Sequence, residues 1–224
     1  MSEKKTIAII GGTGREGKGL AHRLAIAGYQ VTIGSRDIQK AKTTAQELNA
    51  FRKYPKAVLG ELNKNAIIAC DIAILTIPYE HHESTLRDLK SVLSGKILID
   101  ATVPIVPPKV TTIKIPPEGS AAVQAQKILG ETTTVACAFQ NVSFELLLND
   151  APIECEILVC CSDKETRQVI LKIVQDMGMI ARDAGVLENA IIPEGLTSIL
   201  IGINKQYGIH HAGIKITGIP STNI

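Results

Sequence analysis

The sequence predicts an α/β fold: a doubly wound, mostly parallel sheet with a small C-terminal helical extension. Two observations carry that prediction. Short apolar runs alternate with segments of helical period, the pattern of a parallel sheet whose crossover helices cover both faces. The runs are aliphatic and nearly unbroken, as strands buried on both sides require.

The elements follow in order. "TIAIIG" (6–11) reads as a strand, 17–28 as a helix, "QVTIGS" (30–35) as a strand and 37–50 as a helix. A brief strand "KAVLGE" (56–61), a helix at 61–69, the strand "DIAILTIP" (71–78), a helix at 81–93 and the strand "KILIDAT" (96–102) complete the regular part. "PIVPPKVTTIKIPP" (104–117) holds five prolines, too many for a helix or a central strand, so the chain runs extended there. The sheet then resumes with a helix at 119–129, the strand "TTTVACAF", a short helix after Ser143, the strand "CEILVCC", the helix "DKETRQVILKIVQDM" and the strand "IARDA". In "LENAIIPEGLTSILIGINKQ" (187–206), the most apolar helical stretch, Pro193 and Gly195 mark either a kink or a break. A helix apolar on most faces needs cover, from its own sheet or from a second subunit.

Between the first strand and the first helix lies the glycine-dense "IIGGTGREGKGLAHRL" (9–24). Gly12, Gly14 and Gly17 give GxGxxG in the strand-to-helix setting that marks a Rossmann-type dinucleotide site. The first glycine permits the tight turn, the second lets a diphosphate touch the backbone, and the third lets helix and strand pack closely. The free N–H groups and positive dipole end of the helix then face the phosphates. At the end of the second strand, where an NAD site places a carboxylate for the ribose diol, this chain has "GSRDIQKAK". Ser35, Arg36 and Lys40 suit a 2′-phosphate dianion, which points to NADP. Asp37 sits where a helix N-cap belongs. Residues 1–150 are thus expected to form an NADP-binding Rossmann domain, with 151–224 as an extension that continues the sheet.

The 224 residues are 45% hydrophobic, enough for a buried core, and the formal net charge of +2 is too small to argue for nucleic acid or an anionic membrane. The first apolar run is too short for a signal peptide, and no apolar stretch has the length of a membrane span. A cytoplasmic protein is expected. Cys70, Cys137, Cys155, Cys160 and Cys161 lack CxxC spacing and are read as reduced, buried thiols, with the last two on opposite faces of one strand. The histidines show no HxH or HExxH spacing, so no metal is expected. His22 is expected to face solvent or a neighbour. His81 and His82 follow a strand exit, either touching substrate or merely starting a helix, and His210 and His211 either line a pocket or fold the end of the chain.

"IGGTGREGKGLAHRLAIAGYQVTIGSR", "CDIAILTIPYEHH", "DATVP" and the tail "YGIHHAGIKITGIP" together resemble the NADPH-dependent reductases of coenzyme F420, the 8-hydroxy-5-deazaflavin:NADP oxidoreductases. The likeness runs through nearly the whole chain. It implies a reversible hydride transfer between C4 of nicotinamide and C5 of the deazaflavin, with the C-terminal extension closing the deazaflavin pocket and the chain acting as a homodimer. It further implies that Thr13, Gly14, Arg15 and Glu16 bind the nucleotide, that Ser35, Arg36 and Lys40 bind the 2′-phosphate, and that Ile77 and Pro78 pass near the cofactor. Thr13 matches a threonine positioned towards the nicotinamide, and Val142 an aliphatic position that presses the two rings together. Where family members often show histidine, this chain has Gln140, between Phe139 and Asn141; glutamine donates or accepts a hydrogen bond but carries no exchangeable acid proton. Transfer between two ring cofactors needs stacking, orientation and exclusion of water more than a placed acid or base. Two other readings stay open at this level: an NADPH-dependent reductase of a flavin, quinone or ferric chelate, as in the cytosolic domains of some metalloreductases, and an NADP-sensing module without turnover.

Overall fold

The computed structural model describes residues 4–105 and 107–219. The first half runs β1 (Thr6–Ile10), α1 (Arg15–Ile26), β2 (Gln30–Ser35), α2 (Ile38–Phe51), β3 (Leu59–Leu62), α3 (Asn63–Ile68), β4 (Ile72–Leu75), a 3-10 turn (Tyr79–His81), α4 (His82–Leu93) and β5 (Ile97–Asp100). The second runs α5 (Ala121–Leu129), β6 (Thr134–Cys137), α6 (Phe144–Leu147), β7 (Glu156–Cys161), α7 (Lys164–Asp176), β8 (Ile180–Asp183), a second 3-10 turn (Leu187–Ala190) and α8 (Ile191–Tyr207). All eight strands join one sheet in the order β3-β2-β1-β4-β5-β6-β7-β8. Every pairing is parallel except β6 with β7. The order reverses between β1 and β4, which opens a crevice at the carboxyl ends of the strands there.

Alternating side chains of one strand feed two cores. On β1, Ile7 and Ile9 join the cluster under α1, while Ala8 and Ile10 join the cluster under α4 and α5. Each such aliphatic side chain contributes about 1.5–3 kcal/mol on full burial. Cys160 and Cys161 divide in the same way, and all five cysteines are free and buried. On α1, Leu20, Ala21, Leu24 and Ala25 are buried, one face of a helical repeat laid on the sheet. Asp37 caps α2, accepting the N–H of Gln39 and of Lys40.

One expectation is corrected, and two that stood open between alternatives are narrowed. Pro193 neither kinks nor breaks the last helix: it lies in the first turn of α8, where its missing N–H has no intrahelical role, and the helix runs unbroken to Tyr207. Nor is α8 covered by its own sheet along its length, since Ile192 and Ile199 are 59% and 57% exposed. Of the two alternatives for His22, it faces neighbours and not solvent. It is fully buried, with Nδ1 2.8 Å from the Tyr54 hydroxyl and Nε2 3.0 Å from Asp150, and burial lowers its pKa against the raising effect of Asp150.

Candidate active site

The chain leaving β1 turns through Gly11 at φ +75°, a left-handed conformation that favours glycine. A side chain at Gly17 would put its Cβ 2.5 Å from Gly12 Cα, so α1 docks on the loop only because that Cβ is missing. Gly14, the N-cap of α1, has no side chain competing for the free amides of the first turn. Those amides open on a groove of about 330 Å³ lined by Thr13, Gly14, Ser35, Arg36, Lys40, Ile77 and Pro78. The loop thus supplies positive dipole density at one end, and two exposed cations, Arg36 after β2 and Lys40 in the first turn of α2, supply charge at the other. Asp37 borders the groove with its carboxylate committed to the cap of α2, which leaves Arg36 and Lys40 to face an anion.

A second cavity, of about 360 Å³, lies against the same loop, bounded by the chain beyond β5 and β6 and by α8. Glu16, Gln140, Val142, Thr197 and His210 are among its lining residues. Gln140 is held on three sides. Its Nε2 donates to the Asp100 carbonyl at 2.6 Å, its own carbonyl accepts from Thr197 Oγ1 at 2.7 Å, and the preceding Phe139 is buried at φ +78°. A left-handed aromatic residue is strained, and here the strain sits at the cavity wall. Asp100 in turn accepts from buried His82, Nε2 to Oδ2 2.7 Å, and from the Thr102 amide; the other ring nitrogen of His82 meets Gln124. Burial pulls the His82 pKa down, but the Asp100 charge and hydrogen bond outweigh it and leave it above the ordinary value.

Arg23 anchors the wall from below. Buried on α1, its guanidinium donates to the carbonyls of Leu146, Leu147, Asn149 and Ala151, tying α6 and the loop after it to the first helix. Glu16 enters the cavity from the first turn of α1, and its Oε1 is buried without a partner. Burial pushes that carboxyl up to about 8.

A model of the NADP oxidoreductase coenzyme F420-dependent family matches residues 6–104. The F420-dependent NADP reductase of Methanocaldococcus jannaschii is 40% identical over 221 residues, which cover 95% of this chain and 98% of that protein. The chain belongs to the F420-dependent NADP reductase family. The F420-dependent NADP reductase of Methanothermobacter marburgensis is also 40% identical, over 96% of this chain and 99% of its own length. A solved structure from Arthrobacter sp. FB24, 20% identical, covers 96% of this chain and all of its own with a TM-score of 0.80, a likeness of fold.

The predicted residues divide between the cavities of this family member. Thr13, Gly14, Ser35, Arg36, Lys40, Ile77 and Pro78 share the first; Glu16, Gln140 and Val142 share the second. Gly12 and Gly17 are packing positions beneath the loop, and Arg15 lies over the Phe144 ring, 5.3 Å from its centroid. His81 borders the first cavity and His210 the second, while His82 opens α4 as part of the buried network and His211 faces Glu145 at 3.6 Å. Asn63 and Thr197 were not foreseen. Asn63 borders the first groove with a buried, unpaired Oδ1, and the crevice rule for strand ends would have found it, since it follows β3 directly. Among the described residues, no helix is long and apolar enough to cross a membrane, and no cluster of three or more His, Cys, Asp or Glu side chains could hold a metal ion.

Proposed function

We propose that this protein transfers a hydride reversibly between NADPH and coenzyme F420. The observation that carries the reading is that one glycine loop borders both cavities: Thr13 and Gly14 face the cationic groove, and Glu16, two residues on, faces the other. Two ring systems bound in these cavities would meet at that loop.

The residues fit an NADP nucleotide. The open amides of α1 receive the diphosphate; Ser35, Arg36 and Lys40 read the 2′-phosphate, Arg36 with a planar fork suited to it. Thr13, with Ile77 and Pro78, orients the nicotinamide. NADPH bound there would supply a hydride from its nicotinamide C4, with C5 of the deazaflavin as acceptor. Val142 and Phe139 keep water from the meeting point and press the acceptor ring towards the loop. Gln140, latched to Asp100 and Thr197, fixes that ring's orientation. The C-terminal extension completes the pocket through α8 and the described segment after it, which supply Thr197, Leu200 and His210.

We read the protein as cytoplasmic and as a homodimer. Ile192, Gly195, Ile199 and Gly202 recur along α8 as a stripe with two exposed isoleucines and with open space beside both glycines. Two such stripes interleave, isoleucine against glycine. A solution mass of one chain would count against the dimer.

The functional reading is tested by mixing pure protein with NADPH and oxidised F420 and following the visible band of the deazaflavin. Bleaching of the band with formation of NADP is the expected result. An unchanged spectrum, with nucleotide demonstrably bound, refutes it.

A further inference from the structure

The second cavity contains an anomaly. Buried polar atoms are almost always hydrogen-bonded, yet three side chains on its wall each bury an oxygen without a partner among the described residues: Glu16 Oε1, Gln140 Oε1 and, beside Gln140, Asn141 Oδ1, whose Nδ2 donates to the Glu156 carbonyl. For Gln140 the assignment of the free atom is forced. Its other amide atom lies 2.6 Å from the Asp100 carbonyl, which only accepts, so the nitrogen must point there and the oxygen is the one left over. Among the described residues Glu16 makes no ion pair, and the guanidinium of adjacent Arg15 lies over the Phe144 ring. An isolated carboxylate in such a place is costly, whereas an uncharged carboxyl is a hydrogen-bond donor.

We infer that Glu16, as a neutral acid, and Gln140, through its amide oxygen, form a donor–acceptor pair that grips the pyrimidinedione edge of the deazaflavin. That edge presents carbonyl oxygens flanking an N–H, an acceptor next to a donor. Glu16 donates to a carbonyl and Gln140 accepts from the N–H, and the orphaned oxygen of each of these two gains the partner it lacks. The carboxyl displaced up to about 8 by burial is protonated at neutral pH, as the role requires. The inference rests on the F420 reading above and deepens it: it assigns a ring-reading role to a side chain of the nucleotide loop.

The test measures equilibrium binding of F420 and of NADPH separately, by fluorescence titration, alongside thermal melting. Glu16→Leu should weaken F420 by about tenfold, equivalent to one hydrogen bond of about 1.4 kcal/mol, and leave NADPH unchanged. Glu16→Gln keeps a donor without a charge and should bind F420 within about threefold of the parent, on the same scale. Gln140→Met should match Glu16→Leu, and the double variant should lose little more than either alone, because the pair acts on one ring edge. Equal loss of NADPH and F420 in Glu16→Leu, loss of F420 binding in Glu16→Gln, or strictly additive losses in the double variant would each overturn the inference. Should Glu16→Leu not fold, Gln140→Met and Glu16→Gln carry the same comparison. If the parent protein binds NADPH but no F420, the functional reading itself fails; if the parent binds F420 and Glu16→Leu binds it as tightly, only this inference does.

Discussion

The two cavities beside the glycine loop are built by opposite means. The nucleotide groove is local: its phosphate end is a single strand–turn–helix, its cations are near neighbours just after β2, and backbone amides do much of the binding. The second cavity is assembled from a distance. Gln140 leans on Asp100 and Thr197, 40 and 57 residues away, and its floor hangs on Arg23, more than 120 residues from the carbonyls it holds. A site made of consecutive residues forms when its element forms. A site made of long-range hydrogen bonds exists only when the whole sheet is in register.

That contrast can be broken from either side. The largest effect is expected at Arg23→Met, which strips the buried Leu147 carbonyl and three part-buried ones of their donor and should cost about 3 kcal/mol of stability by denaturant melting. It should impair F420 binding far more than NADPH binding; equal impairment would mean that the cavities are not built independently. Next comes Arg36→Ala, which removes a charge-assisted contact of about 1.5–3 kcal/mol from NADPH and nothing from NADH or F420. Equal losses for both nucleotides would place 2′-phosphate recognition elsewhere.

A last effect, read as a slope of at most about 1.4 kcal/mol per pH unit for one group rather than as a single loss, concerns titration. Glu16 borders the second cavity, and Glu194 on α8 accepts the amides of Ala121 and Ala122 at the start of α5; burial pushes both carboxyls up to about 8. A raised folded pKa means that the native state holds protons which the unfolded chain has released. The stability contribution of each group is therefore full below about 4.5 and is lost as pH rises through about 8. Buried His82, also raised, adds to the fall in the same direction. Unfolding free energy should drop between pH 5 and pH 8.5, and Glu194→Gln should flatten part of that slope; a stability that rises over this range would contradict the assignment.

The same contrast explains what the amino-acid sequence disclosed. The strand–helix alternation, the glycine loop, Asp37 as a cap, and Ser35 with Arg36 could be read because each depends on residues a few positions apart. Arg23 and His22 could not. A charged residue and a histidine on a helix look like surface positions until Asp150 and the carbonyls around it arrive from the far half of the chain. His82 and Asp100 are likewise ordinary residues at the start of a helix and the end of a strand until the parallel pairing of β4 with β5 brings them to 2.7 Å. The proline of α8 misled for a different reason: proline disrupts a helix interior but suits a first turn, and the position of the helix start was what the pattern left open.

The antiparallel pairing of β6 with β7 brings the segment that enters β7 to the same rim of the sheet as the loops leaving β1, β4 and β5. That segment needs no crossover helix to reach its next strand, so it can change wherever it is not held by Arg23 or Asp100 without unpicking the parallel half. In lineages that keep the nucleotide end unaltered, new electron acceptors would be accommodated there first.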